Sequence, residues 1–233
     1  MIADLRVNEH PAARGGGERS ASGSLVCVVG AHGGAGATRA AVALARDAGG
    51  DVCLIDADLS GGDAHVLLDL PARPGTVGLA ALQEVDASTL AQDARRTAFG
   101  CLYEACPRPE LSWLIRDGAV RDLARLAMRR ATLVVVDVAR PTGPSFEPVL
   151  DADVVVLIAH VNRAAAVEDA LRRLVRSGVD ERRVLVCATA PTIVERALGR
   201  VRRDVAVIDV ERDDRLSLLV EGRLAAIGPR DRR

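Results

Sequence analysis

The sequence contains no lysine. All 31 of its basic residues are arginine, so the permanent positive charges of its side chains are all guanidinium groups. Aromatic residues are almost as scarce, at 2% against 49% for apolar residues as a whole. The interior therefore has to be built from Val, Leu, Ile and Ala, which suits a parallel sheet wrapped in helices. Charge is balanced to a net −1, which argues against binding nucleic acid through bulk charge. No apolar run approaches the roughly 18 residues that cross a bilayer, and no signal-peptide pattern opens the chain. The expectation is a cytoplasmic protein that does not enter a membrane. Five cysteines, at 27, 53, 101, 106 and 187, are odd in number. Cys27, Cys53 and Cys187 fall in apolar runs where a thiol serves as a small apolar side chain. Cys101 and Cys106 have no second pair and no neighbouring His to complete a zinc site. The four histidines are scattered and form no ligand spacing.

What is present is a strand, a glycine loop and a helix in immediate succession, from Ser24 to Ala48. Leu25, Val26, Val28 and Val29 form a near-continuous apolar run, the pattern of a strand buried on both faces. The loop from Gly30 to Gly36 holds four glycines and no side chain larger than His32. Thr38 opens an alanine-rich helix that ends at Gly49, a residue suited to the left-handed position past a helix C-terminus. Together these make a geometry that holds phosphates. Backbone N–H groups converge in the loop, and the helix end adds partial positive charge.

The rest of the chain alternates strands and helices. Residues 1–23, rich in Gly, Arg, Ala, Ser and Glu, lack apolar periodicity and are expected to be a disordered leader. A second strand spans Asp51 to Ile55 and ends in Asp56-Ala57-Asp58. Short helices are expected at Ala64 to Leu68, Gly78 to Gln83 and Ala87 to Ala94. Between Phe99 and Leu114 the pattern is ambiguous, and strands are assigned near Leu102 and near Ser112. A helix at Ala119 to Arg130 places Val120, Leu123 and Ala127 on one face. Leu133 to Val136 is a strand ending in Asp137, and Val154 to Ala159 is another. Asn162 suits the N-cap of a helix that stops at Gly178. Strands at Arg183 to Ala188 and Val205 to Val210, with helices near Thr192 to Leu198 and Arg215 to Leu224, complete the series. Uniformly apolar strands alternating with helices call for one α/β domain over residues 24–228, a mostly parallel sheet with helices on both faces. Residues 229–233 form a basic tail. Leu216, Leu219, Val220, Leu224 and Ile227 follow helical spacing, but Gly222 interrupts the stripe and no Trp or Phe is there to seat it in a headgroup layer. That stripe is expected to pack into the domain rather than onto a membrane.

The glycine loop resembles the deviant Walker A motif of the ParA/MinD family of P-loop ATPases, written Lys-Gly-Gly-x-Gly-Lys-[Ser/Thr]. The matching residues are His32, Gly33, Gly34, Ala35, Gly36, Ala37 and Thr38. The three glycines and the hydroxyl fit; both lysines are gone, and Ala31 replaces the first glycine of the general P-loop. Leu133 to Asp137 has the form of a Walker B strand, and Ala152 to Leu157 is similar to the family's next strand. The resemblance implies a single-domain P-loop NTPase fold with ATP and Mg²⁺ as cofactors. It implies phosphate contacts from Gly33, Gly34, Ala35, Gly36, Ala37 and Thr38, and Mg²⁺ at Thr38 and Asp137. Asp56 and Asp58 take the place of the acidic residues that position the attacking water and the metal. Within the family the chain looks most like the actinobacterial CpaE-like proteins found with Tad pilus or secretion genes, also known as septum-site-determining. A Gly-Gly-Ala-Gly-Ala loop of the kind at Gly33 to Ala37 is common in that group.

In that family the lysine at the Ala37 position binds the β- and γ-phosphates, and the one at the His32 position reaches across a dimer to the partner's nucleotide. A hydrogen bond to a charged group contributes about 1.5–3 kcal/mol, so losing both weakens binding by roughly two to four powers of ten. Losing a positioned donor to transition-state charge lowers the rate a further ~10²–10³-fold. The expectation is a degenerate protein that holds ATP and Mg²⁺ weakly or not at all and hydrolyses ATP weakly or not at all. It would act as a positioning or regulatory factor for pilus, secretion or septum-site machinery, with proteins of that machinery as partners and a homodimer allowed by the family. Two alternatives stand beside it. One is an active Mg-ATPase with arginine replacing the loop lysines, Arg39 being the nearest. The other is a ParA-like DNA-binding partition protein that uses Arg129-Arg130, Arg172-Arg173, Arg182-Arg183 and Arg200 to Arg203. Those arginines are interspersed with Asp and Glu, the composition of a solvated helix face. Where the family often reads adenine with an Asn after a late strand, this chain has Cys187-Ala188-Thr189.

Overall fold

The apolar run after Gly23 forms β1 (Ser24–Gly30), and its residues Val26 to Val29 have no accessible surface at all. A computed structural model describes residues 23–71, 86–106, 109–139, 143–160, 163–188, 206–209 and 216–227. In it β1 lies inside an eight-stranded sheet with β2 (Val52–Asp56), β3 (Arg95–Thr97), β4 (Gly100–Glu104), β5 (Leu133–Ala139), β6 (Val154–Ala159), β7 (Val184–Ala188) and β8 (Ala206–Asp209). The order across the sheet is β3-β4-β2-β5-β1-β6-β7-β8. Every pairing is parallel except β3 with β4. The parallel strands end at one edge, so the loops after β1, β2 and β5 gather there, where ligands bind in open α/β sheets.

Each face of the sheet is covered. Leu25, Cys27 and Val29 of β1 pack with α3 (Ala87–Asp93), α4 (Ala119–Ala127), α5 (Glu147–Asp151) and α6 (Ala164–Arg176). Val26 and Val28 pack on the opposite side with α1 (Ala37–Asp47), α2 (Ala64–Leu67) and α7 (Leu216–Ile227). The strands are apolar in succession because both faces are dry, each fully buried Val or Leu contributing about 1.5–3 kcal/mol. Helix α1 approaches closely because its buried side is small: Ala40, Ala41 and Ala45, with Leu44. Leu216 and Val220 of α7 are buried in the same cluster, with Leu224 partly buried against it. Leu216, Val220 and Leu224 of the C-terminal stripe thus pack into the domain. No described helix is long and apolar enough to cross a membrane.

Two expectations need correction, and one strand was not expected. The segment near Ser112 is a 3-10 turn at Pro109–Leu114 rather than a strand. Pro109 fixes φ and lacks the N–H that a ladder needs, and Trp113 stands 76% exposed. Strand β5 does not end at Asp137 but runs on to Ala139, with a register shift in β1 between Val28 and Val29. Strand β3 has no apolar signature, being Arg95-Arg96-Thr97. Arg95 is buried there because it pairs with Glu104 at 2.6 Å and donates to the Pro71 carbonyl at 2.5 Å. The leader before Gly23, the basic tail, the helices at Gly78 to Gln83 and Thr192 to Leu198, the Asn162 cap, Thr189 and Arg200 to Arg203 lie outside the described residues.

Candidate functional site

Beyond β1 the chain turns through Gly34 at φ 73° and Gly36 at φ 91°, left-handed conformations that glycine adopts without strain. A Cβ at either position would meet nothing within 4 Å, so these glycines serve the backbone path rather than a tight fit. Gly36 is the N-cap of α1 and supplies no side chain to its amides. The first-turn N–H groups therefore remain available to an anion. Beside the loop opens a cleft of about 910 Å³ lined by His32, Gly33 to Arg39, Asp58, Leu59, Ser60, Asp63, Val66, Leu67, Val138 and Ser145. Gly33, Gly34, Ala35, Gly36, Ala37, Thr38 and Asp58 thus come together around this cleft.

Asp56 and Asp137 are buried and are not among the residues that line the cleft. They are register partners on β2 and β5, 3% and 0% exposed. Strand alternation puts both on the α1 face, since Val135 and Leu54 belong to the cluster on that side. Burial pushes the Asp56 carboxyl up to about 8, and the neighbouring Asp137 charge adds to the push. Two backbone donors act in the opposite direction. Asp58 N–H gives to Asp56 Oδ1 and Ala64 N–H to Oδ2, each at 3.1 Å. Asp56 therefore organises the turn from Ala57 to Ala64. Gly62 closes that turn against it: a Cβ there would fall 2.0 Å from Asp56 Oδ1. Asp58 reaches the cleft, its Oδ1 accepting from Ser60 N–H at 2.9 Å and from Ser60 Oγ at 2.5 Å.

Glu104, the register partner of Asp56 on β4, extends the row of acids to a third strand. It is held by Arg95 and lies 3.1 Å from His65 Nδ1. The sequence reading missed this group, because only the sheet order brings residues 56, 65, 95 and 104 together. It also missed His160, whose backbone N–H donates to His32 Nε2 at 3.1 Å across 128 positions. For Gly62 there was a legible signal, the Gly61-Gly62 pair directly after Asp58.

Ala37, at one of the positions where the resembled motif has lysine, and Arg39, two residues on, both border the cleft. Ala37 is 8% exposed and packs into the α1-side cluster while still bordering the cleft. Arg39 is exposed on the cleft rim and has no hydrogen bond or ion pair among the described residues. The oxygen donors at the cleft fit Mg²⁺ only in company with phosphate. No described group of three His, Cys, Asp or Glu could cage a metal, and Mg²⁺ characteristically takes one or two protein oxygens, several waters and phosphate. Thr38 Oγ1 and a cleft carboxylate supply that minimum. When bound, the ion would spread the phosphate charge. The loop amides would orient the phosphates, and buried Asp137 would bias the ion's side of the site.

The chain matches no protein-family profile and no curated sequence. Among solved structures it is similar to a ParA family ATPase from Chlorobium tepidum, at 17% identity and TM-score 0.67 over 90% of this chain and 93% of that one. The cell division ATPase MinD of Pyrococcus furiosus is similar at 13% identity and TM-score 0.61, over 88% and 98% of the two chains. Cobyrinic acid a,c-diamide synthase of Mycobacterium smegmatis, with bound ATP analog and magnesium, is similar at 20% identity and TM-score 0.57, over 78% and 84%. The chain thus has the α/β fold of the ParA and MinD ATPases.

Proposed function

We propose that this chain is a degenerate ParA/MinD-like protein of the CpaE-like kind. It binds nucleotide phosphates weakly through loop amides and Thr38, and it hydrolyses ATP feebly or not at all. Its role is to position or regulate a pilus, secretion or septum-site apparatus by contact with that apparatus. The observation that carries this reading is the loop itself. Its left-handed glycines and its uncapped helix end persist, while the position that should carry the ammonium is an alanine packed against the sheet. Shape is kept and charge is lost. Asp56 and Asp58 are proposed for the water-placing positions and Thr38 with Asp137 for the metal. Of the acids in that set, Asp58 is the one that borders the cleft.

Titration of the pure protein with ATP or ADP, with and without Mg²⁺, tests the reading when paired with phosphate-release assays. The expected result is a Kd weaker by two to four powers of ten than that of a lysine-containing homologue, roughly as the lost charged bonds require, with little turnover. Turnover comparable to such a homologue and abolished by Asp137→Ala would overturn it. One observation favours a working ATPase instead: Arg39 borders the cleft with no partner among the described residues. Loss of turnover in Arg39→Ala would select that alternative. DNA binding is disfavoured by ion pairing within two of the four arginine clusters. Arg172 bonds Glu168, Arg173 bonds Asp169 at 2.6 Å, and Arg182 bonds Asp180 at 2.6 Å.

A further inference from the structure

His32, at the foot of the glycine loop, is tied inward on both sides of its ring. Nε2 accepts from the backbone N–H of His160 at 3.1 Å, and Nδ1 lies 3.0 Å from the Gly33 carbonyl oxygen. A carbonyl oxygen can only accept, so Nδ1 carries the proton and Nε2 is bare, a single tautomer that satisfies both contacts. His160 is the residue directly after β6. The β1–β6 ladder ends at Gly30 and Ile158, with Ala31 N–H donating to the Ile158 carbonyl at 2.8 Å. The His32 side chain therefore adds one more rung after the backbone has left the sheet to form the loop.

We propose that His32 is a clamp: a positioning residue that fastens the glycine loop to the end of β6 within one chain. A side chain committed in this way is not free to extend outward from the loop. On the reading of this loop as a phosphate site, anion binding is then a property of the single chain and needs no second copy. The contact demands an acceptor at the reach of Nε2. Glutamine offers one. Lysine carries donors only and would set an ammonium against the His160 N–H, and alanine offers nothing.

The test uses the full chain without ligand. Amide hydrogen exchange is followed by NMR at His160 and at Gly33 to Gly36, and imidazole nitrogen shifts report the tautomer. In the wild-type protein the His160 amide should be protected and the His32 shifts should show a protonated Nδ1 and a bare Nε2. Protection should persist in His32→Gln. In His32→Ala and His32→Lys, exchange at His160 should quicken about threefold to tenfold, as loss of one hydrogen bond implies, while the β1 amides stay protected and show an intact fold. Equal exchange at His160 in the wild type and His32→Ala, or a protonated Nε2 in the wild type, would overturn the clamp. A second measurement titrates Mg-ADP at two protein concentrations a factor of about ten apart. An unchanged Kd supports single-chain binding, and a Kd that falls as protein concentration rises contradicts it. Should Mg-ADP not bind at all, a protected His160 still supports the clamp, and the failure falls on the phosphate reading.

Discussion

Two loops face the same cleft and are kept in shape by opposite means. The first, Gly30 to Gly36, is shaped by left-handed glycines with open space around them. The second, Ala57 to Asp63, is shaped by carboxylates. Asp56 receives the amides of Asp58 and Ala64, Asp58 receives Ser60, and Gly62 is pressed against Asp56. The difference bears on how the site is read. The first loop can lack charged ligand-binding side chains and keep its path, because that path rests on left-handed glycines and on the His32 contact with His160. The second cannot lose Asp56 and keep its turn. A retained acid there is therefore no measure of retained catalysis.

The largest effect expected from breaking this arrangement concerns pH. Asp56 is pushed up to about 8 in the folded protein from 3.8, so between those values the folded state keeps a proton that the unfolded state releases. Its contribution to stability is fully present below about pH 4 and is lost as pH rises towards 8, by roughly 1.4 kcal/mol per unit. Asp56→Asn, which never ionises, should gain on the wild type steadily across that range in urea unfolding. A stability difference that does not change with pH would sink the idea. Replacing the neighbouring acid, Asp137→Asn, should flatten the wild-type trend.

Next comes the steric side of the comparison. Gly62→Ala should destabilise by about 1–3 kcal/mol, because its methyl lands on the Asp56 carboxylate. Most of that loss should vanish in an Asp56→Ala background, where the obstacle is gone. Gly36→Ala should lose about 1–2 kcal/mol from the left-handed backbone alone, with no dependence on Asp56. Equal coupling of both glycines to Asp56 in thermal melts would erase the distinction drawn between the loops.

Adding an ammonium to the first loop tests the proposed phosphate reading. Ala37→Lys should tighten Mg-nucleotide binding about 10- to 100-fold, the equivalent of one charge-assisted hydrogen bond. Calorimetry showing no gain would mean that the backbone no longer cradles phosphate. The smallest expected effect is Ser60→Ala. It removes the hydroxyl bond to exposed Asp58 but leaves the backbone one in place, and should cost less than about 1 kcal/mol. A larger loss of melting temperature would make Ser60 as central to the turn as Asp56.

Legibility in the sequence followed the range of the forces involved. The runs at Leu25 to Val29 and Val154 to Ala159, and the left-handed glycines that stop α1 and α6 at Gly49 and Gly178, are local facts of hydropathy and backbone freedom. Their elements could be read within a residue or two. The glycine loop before α1 was legible for the same reason. Strand β3 was not, because nothing in Arg95-Arg96-Thr97 signals a strand until Glu104 pairs with Arg95 and the Pro71 carbonyl accepts a hydrogen bond from it.

By itself the sequence determined the class of fold, the position of the loop and the absence of its ammonium groups, since composition and short-range pattern suffice for each. Only the tertiary structure decided that Asp137 lies inside its strand, that Asp56 holds the turn from Ala57 to Ala64, and that His32 faces His160. Those outcomes depend on which strands become neighbours. Strand order is set by the packing of two apolar faces at once, and no window of sequence contains both faces.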